Sequence, residues 1–439
     1  MPTTEKNIQW YQTKFQEFEQ GLNGEKSTPL HALRRNAIEQ FAAIGFPTAK
    51  QEEWRFTNVS PVNKIDFQPV LRYDREGITE ADLASAFLPD AIRLVFINGF
   101  FSQEFSDVRF VPKNVVIENL ATAKKNYSDL IQQFIGKGVK TDENAFTALN
   151  TAFIQDGAFV HVPKGIVVEI PLQLLFVSTQ KTSPFISLPR NIINVDENAQ
   201  LTVFESYLHR ADNIYCTNAA TEIFLGENAK VEHVKLQMES INAFHISNTV
   251  VRQQTAGVYR SNSIALGGAI ARNNVTAFLD AEHIECTLNG LTLAAGTQLV
   301  DHHTTIDHAH PHCISHELYK FVLDEKARGV FNGKVYVRKD AQKTDAKQTN
   351  KTLLLSDDAT INTKPQLEIF ADDVKCTHGA AVGQLDAEQI FYLRSRGLGE
   401  EEAREMLTYA FAGDVVNRIE HESIRKLVEM SVLERSNRA

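Results

Sequence analysis

Glu197-Asn198-Ala199-Gln200-Leu201 returns 30 residues later as Glu227-Asn228-Ala229-Lys230-Val231. Each copy sets polar turn residues and one small residue ahead of an alternating, β-prone run. Looser echoes stand at Gly296-Thr297-Gln298-Leu299, Lys326-Ala327-Arg328-Gly329 and Asp358-Ala359-Thr360-Ile361. Taking the small residue as marker, Gly296, Ala327 and Ala359 are 31 and 32 residues apart. The gap from Ala229 to Gly296 is 67 residues, about two such steps, with no clean marker inside it. A turn that feeds a strand once per repeat describes a β-solenoid, whose coils bury their inner faces against one another. Short strands between turns also make β-sandwiches, but the near-constant step favours the solenoid.

The β-rich texture begins near Gly157 and includes Phe159-Val-His-Val162, Leu172 to Val177 and Lys334 to Arg338. Upstream, Tyr11, Phe15, Phe18 and Leu22 recur at helical spacing. A second helix has Thr28 as N-cap, Pro29 at its first position, an apolar stripe through Leu30, Leu33, Ala37, Phe41 and Ile44, and Gly45 to close it. Residues 92–97 read as a buried strand, and residues 120–135 and 145–153 as helices. Downstream, Asp386 caps a helix ended by Gly397. A second opens on Glu400 to Glu402 and carries Ala403, Met406, Leu407, Ala410 and Phe411 on one stripe. Residues 415–433 read as a third. The expected fold is mainly β: a parallel β-helix core over 156–383, a mostly helical region over 1–155 and a helical unit over 384–439.

Bulk properties narrow the function. The 439 residues are 43% hydrophobic with a formal charge of −10, so nucleic acid is disfavoured as main partner. No secretory signal and no apolar run of about 18 residues is visible, so neither export nor a membrane partner is expected. Cys216, Cys286, Cys313 and Cys376 form no C-x-x-C pair, which fits free thiols in a reducing cytoplasm. Residues 21–28 imitate a P-loop, yet Glu25 replaces the glycine needed before the lysine, so ATP binding is rejected there.

Two stretches carry metal-binding chemistry. Residues 301–316, DHHTTIDHAHPHCISH, hold six of the fourteen histidines. They match no known ligand frame. A polar face of hydrogen-bonded histidines is the simpler reading, and a transient metal or cluster site using His303, His308 and His312 the alternative. Further on, Cys376 and His378 stand two apart on an extended chain and so point to one side. Two ligands do not close a four-coordinate site, so any missing ligands come from another segment or another chain.

Gln51-Glu52-Glu53-Trp54-Arg55-Phe56-Thr57-Asn58, together with residues 301–308, 317–337, 353–370 and 372–397, resembles the SufD family of the SUF iron–sulfur assembly system. The resemblance covers most of the chain from Gln51 onward. It implies a right-handed parallel β-helix between helical ends, and a non-catalytic scaffold rather than an enzyme. The implied partners are the paralogue SufB, through the β-helix, and the ATPase SufC, through the C-terminal helices. On this chain the SufC contact falls on Phe391, Tyr392, Leu393, Arg394, Met406, Leu407 and Phe411. Cys376 and His378 match the family's Lys-Cys-x-His-Gly block and would offer ligands to a transient Fe–S cluster shared with SufB. No cofactor is expected to stay tightly bound in the isolated chain, which could pair with itself, and ATP would act only through SufC. SufB itself, a β-helix carbohydrate-active enzyme and a zinc hydrolase built on the histidine stretch are the rival identities. His310 exceeds what the family pattern leads one to expect.

Overall fold

A computed structural model describes residues 3–22, 24–75 and 77–436. Two long parallel sheets face each other, and successive strands alternate between them. Gln200, Lys230, Val258, Glu285, Ile314, Asp345 and Lys375 are stacked register partners, so a coil takes 27 to 31 residues. The solenoid expected from the repeat is present, with helices at both ends.

The corner entering the second sheet explains the repeat. Asn198, Asn228, Ala256, His283, His312 and Lys343 occupy it in successive coils, all with φ between 53° and 61°. Asparagine tolerates this left-handed backbone best among residues with a side chain, which is why the two clearest copies carry it. Backbone bonds join neighbouring corners, from Asn198 N to Glu227 O and from Asn228 N to Thr255 O. The small residue that follows turns inward: Ala199, Ala229 and, farther along, Cys313 are fully buried. Gly296, Ala327 and Ala359 belong to the other corner, ahead of strands Leu299–His308, Arg328–Val337 and Thr360–Ile369. The 67-residue gap is therefore a change of corner. The missing markers at the first corner are Gly257, Ile284 and Cys313, which share no residue type.

Each helical end covers the outer face of one sheet. Helices Thr3–Gln20, Pro29–Ile44 and Ala145–Ala152 pack Phe15, Phe41, Phe146 and Phe153 against Ile246, Ile270 and Leu299. Helices Glu400–Val416 and Glu422–Ser436 pack Ala412, Val416, Ile424, Val428 and Val432 against Val234, Leu236, Ile264, Leu291 and Leu318. Strands covered on both faces read as nearly unbroken buried runs, as Leu172–Ser178 does.

The Gln51–Asn58 string forms a clasp between the N-terminal region and the first sheet. Trp54 lies under the Arg272 guanidinium at 3.8 Å. Arg272 donates to the Glu53 carbonyl at 2.7 Å and to Asp301 at 2.8 Å. Asp301 also accepts from Thr57 Oγ1 at 2.6 Å, His303 meets Glu53 at 2.5 Å, and Lys364 of the last coil pairs with Glu52.

Several element boundaries differ from expectation. The helix over 120–135 is two, Leu120–Asn126 and Ser128–Phe134, broken at Tyr127 (φ −134°, ψ 36°). The helix over 415–433 is broken by residues 417–421, where tertiary contacts override propensity: Ile419 is buried and Glu420 N donates to Glu232 at 2.7 Å. Strand Ile92–Ile97 pairs in parallel with Leu172–Ser178 and so joins the second sheet. Thr28 accepts from His31 N as the cap of Pro29–Ile44, and Glu25 is held by Arg34 at 2.9 Å.

Candidate functional site: the open end of the solenoid

The last two coil strands, Thr360–Ile369 and Lys375–Gly383, stand at the edges of their sheets with one side unpaired. Strand Asp345–Leu354 still alternates between buried and exposed positions. In the final strands that alternation is lost, because among the described residues no further coil stacks beyond them. Ile369, Phe370 and Val382 are exposed there at 38%, 57% and 49%. Two edges of nine and ten residues beside apolar side chains are a template for another chain.

Cys376 and His378 sit on this end. Register places Cys376 over Ala346 and His378 over Gln348, both inward-facing and buried. The two side chains therefore continue interior columns and emerge together at the open face. Cys376 is half-buried and packs near Val335, Val337 and Ala346. Burial pushes its thiol up, a bond from the Ala346 backbone opposes that, and Asp345 adds to the rise. His378 is exposed. Among the described residues, no three His, Cys, Asp or Glu groups gather as a metal site. The pair thus presents a thiol and an imidazole side by side at an unpaired edge.

The structure does not bring His303, His308 and His312 together. His303 belongs to the Glu53–Arg272 clasp. His308 points into the core, bonded to Ser315 Oγ at 2.8 Å and lowered to about 4 by burial. His312 is a corner residue whose ring stacks on His283 at 5.1 Å. His302 also lies inside, against Thr292 and Tyr319, and burial lowers it to about 4. Alternation along the strand, then a corner, scatters the histidines over an outer face, an inner face and a turn. His310 and His316 are exposed.

The C-terminal helices split the expected partner residues. Helix Ala387–Ser395 follows the Cys376 strand after three residues and buries none of its own. Phe391, Tyr392 and Met406 are exposed at 73%, 57% and 48%. Leu393 and Leu407 are half-buried, and Arg394 pairs with Glu400 at 3.1 Å. Phe411 faces the other way: it packs on the solenoid cluster, with Lys320 over its ring at 4.5 Å. Phe391, Tyr392 and Met406 are thus the exposed apolar members of the set.

Sequence reasoning missed the charged interior. Glu205 accepts from Tyr207 at 2.5 Å and pairs with His233 at 2.9 Å, and Glu239 pairs with His245 at 2.6 Å. Burial alone would raise Glu205, but His233, Lys235 and Tyr207 bring it down to about 2. Burial lowers Lys235 to about 8 and raises Glu317 to about 7. These residues alternate with apolar ones along their strands and look like outward-facing positions until the register is known. Their carboxylates are enclosed rather than set in a groove, which leaves no paired-acid cleft among them.

No helix among the described residues is long and apolar enough to cross a membrane. Residues 176–411 match the family model described as SUF system FeS cluster assembly, SufBD core domain, and residues 5–174 match the SufBD protein N-terminal region. The chain is 38% identical over 412 residues to an iron–sulfur cluster assembly SufBD family protein of Synechocystis, covering 91% of this chain and 89% of the relative. It is 31% identical to the iron–sulfur cluster assembly protein SufD of Escherichia coli, covering 89% of each. The SufD of Bacillus subtilis is 29% identical, covering 92% of this chain and 93% of that one.

Proposed function

Because the chain belongs to the SufBD family of SUF-system iron–sulfur cluster assembly proteins, we propose that it is the SufD-type scaffold subunit of that machine and performs no catalysis itself. The observation that carries this reading is the open solenoid end, where two unpaired strand edges present Cys376 and His378 side by side. A paralogous SufB solenoid docks there, edge against edge, and contributes the missing ligands. The forming cluster is cargo: Cys376 supplies a thiolate and His378 an imidazole nitrogen while it is built. Thiolate and imidazole both suit iron. Four free cysteines fit a reducing compartment.

The second contact is the patch of Phe391, Tyr392 and Met406, offered to the ATPase SufC. A helix that buries none of its residues and exposes large apolar side chains calls for a partner. The three-residue link from strand Lys375–Gly383 to helix Ala387–Ser395 gives SufC motion a short route to the cluster edge. Co-expression with SufB and SufC tests the assignment. The tagged chain is expected to retain both, and a Phe391→Ser, Tyr392→Ser variant to lose its direct SufC contact while keeping SufB. Retention of neither partner by the unaltered chain would refute the scaffold reading.

A further inference from the structure

Away from the open end, a cleft of about 490 Å³ lies between helix Glu422–Ser436, residues 85–89 and the outer face of strands Gln200–His209 and Lys230–Met238. That volume is in the range of small-molecule sites, which favour junctions between parts of a fold. Its apolar lining comes from Leu236 and Met238 of the sheet, Met430 of the helix and Phe87 of the N-terminal region.

Polar groups distinguish it from an ordinary packing gap. Ser206 lines the cleft and is 2% exposed, and its Oγ has no hydrogen-bond partner among the described residues. A buried hydroxyl left unpaired costs about 1–3 kcal/mol, so a ligand acceptor fits there. Arg210 lines the cleft and forms no ion pair among the described residues, though it lies within electrostatic reach of Asp82. Among the described residues Lys426 pairs with Glu422 on its own helix, an exposed i,i+4 pair that competes weakly. Against these cations the lining holds one carboxylate, Glu434. A groove of similar size beside Leu33 and Ile135 also has lysines, but none of its lining residues holds an unpaired buried polar atom.

We propose that this cleft binds a small amphipathic anion, with its apolar body on Leu236, Met238 and Met430, an acceptor at Ser206 Oγ and its acidic group between Arg210 and Lys426. Such a ligand touches all three parts of the chain and fastens the last helix to the solenoid.

Fluorescence titration of the full chain with anilinonaphthalene sulfonate tests the site. One saturable site is expected. Met430 is 62% exposed, so Met430→Glu leaves the fold intact while opposing the sulfonate; it is expected to weaken binding about tenfold or more. Ser206→Ala is expected to weaken it about two- to tenfold. Phe391→Ser, on a helix away from the cleft, is expected to leave the probe's affinity unchanged. Phenylnaphthylamine, which lacks the sulfonate, is expected to bind at least about tenfold more weakly. Wild-type binding by Met430→Glu, loss of the signal in Phe391→Ser, or equal affinity for the neutral probe would each overturn the proposal.

Discussion

Removing Arg272 tests whether the Gln51–Asn58 clasp has the energetic weight its geometry suggests. Arg272 and Asp301 are 3% and 1% exposed at the side chain and meet at 2.8 Å. Arg272→Met keeps much of the apolar contact with Trp54 but leaves Asp301 buried with the Thr57 hydroxyl as its remaining side-chain partner among the described residues. Breaking a buried pair from one side costs about 3–5 kcal/mol. The cost falls first on residues 52–58, which reach the first sheet through this cluster. At 1.4 kcal/mol per tenfold, native-state hydrogen exchange at the Trp54 and Thr57 amides should accelerate about 140- to 3,700-fold. Both amides are bonded within the local turn, Trp54 N to Gln51 O and Thr57 N to Trp54 O, so they report its opening. Exchange at strands near the open end should change little. Adding Asp301→Leu should recover part of the loss, with a coupling of about 0.5–3 kcal/mol. Unchanged exchange at Trp54 and Thr57 in Arg272→Met would refute the clasp.

Three further outcomes are expected. Ala256→Gly should stabilise by about 1 kcal/mol because φ is 53° there, whereas Asn228→Val should destabilise by about 1–2 kcal/mol; denaturant midpoints check both. Glu317 is held near 7 by burial, so its folded value lies above its unfolded one. Its contribution is then full below about 4.5 and is lost as pH rises through about 7. Thermal melting of Glu317→Gln should lack that decline, and an unchanged pH profile would contradict the assignment. Val382→Lys with Phe370→Lys should leave the melting temperature of the isolated chain unchanged, since both side chains are exposed, yet abolish pairing with SufB in gel filtration.

The solenoid was legible because two corner sequences kept their asparagines, and asparagine announces a left-handed turn. It blurred where Ala256, His283, His312 and Lys343 fill the same conformation, for no residue type marks a corner whose strain the stacked coils offset. Thr28-Pro29 and Gly45 announced a helix because capping is local. Residues 417–421 did not announce a break, because Ile419 and Glu420 leave the helix for contacts far away in sequence. Cys376 and His378 were legible as a same-side pair on any strand, but their place at an unpaired edge depends on where stacking stops. The histidine stretch misled for the opposite reason: proximity in sequence is undone by alternation, and the run divides between clasp, core and corner. Glu205, His233, Lys235 and Glu239 were silent, since an inward charge looks like an outward one until register fixes the face.

Anaerobic assembly of iron and sulfide on the complex with SufB and SufC tests the proposed site most directly, comparing the wild-type chain with Cys376→Ser, His378→Ala. The expected result is an intact complex whose bound iron and acid-labile sulfide fall to background in the double variant. Equal cluster content in an equally intact complex would contradict the placing of cluster assembly at the open end of this solenoid.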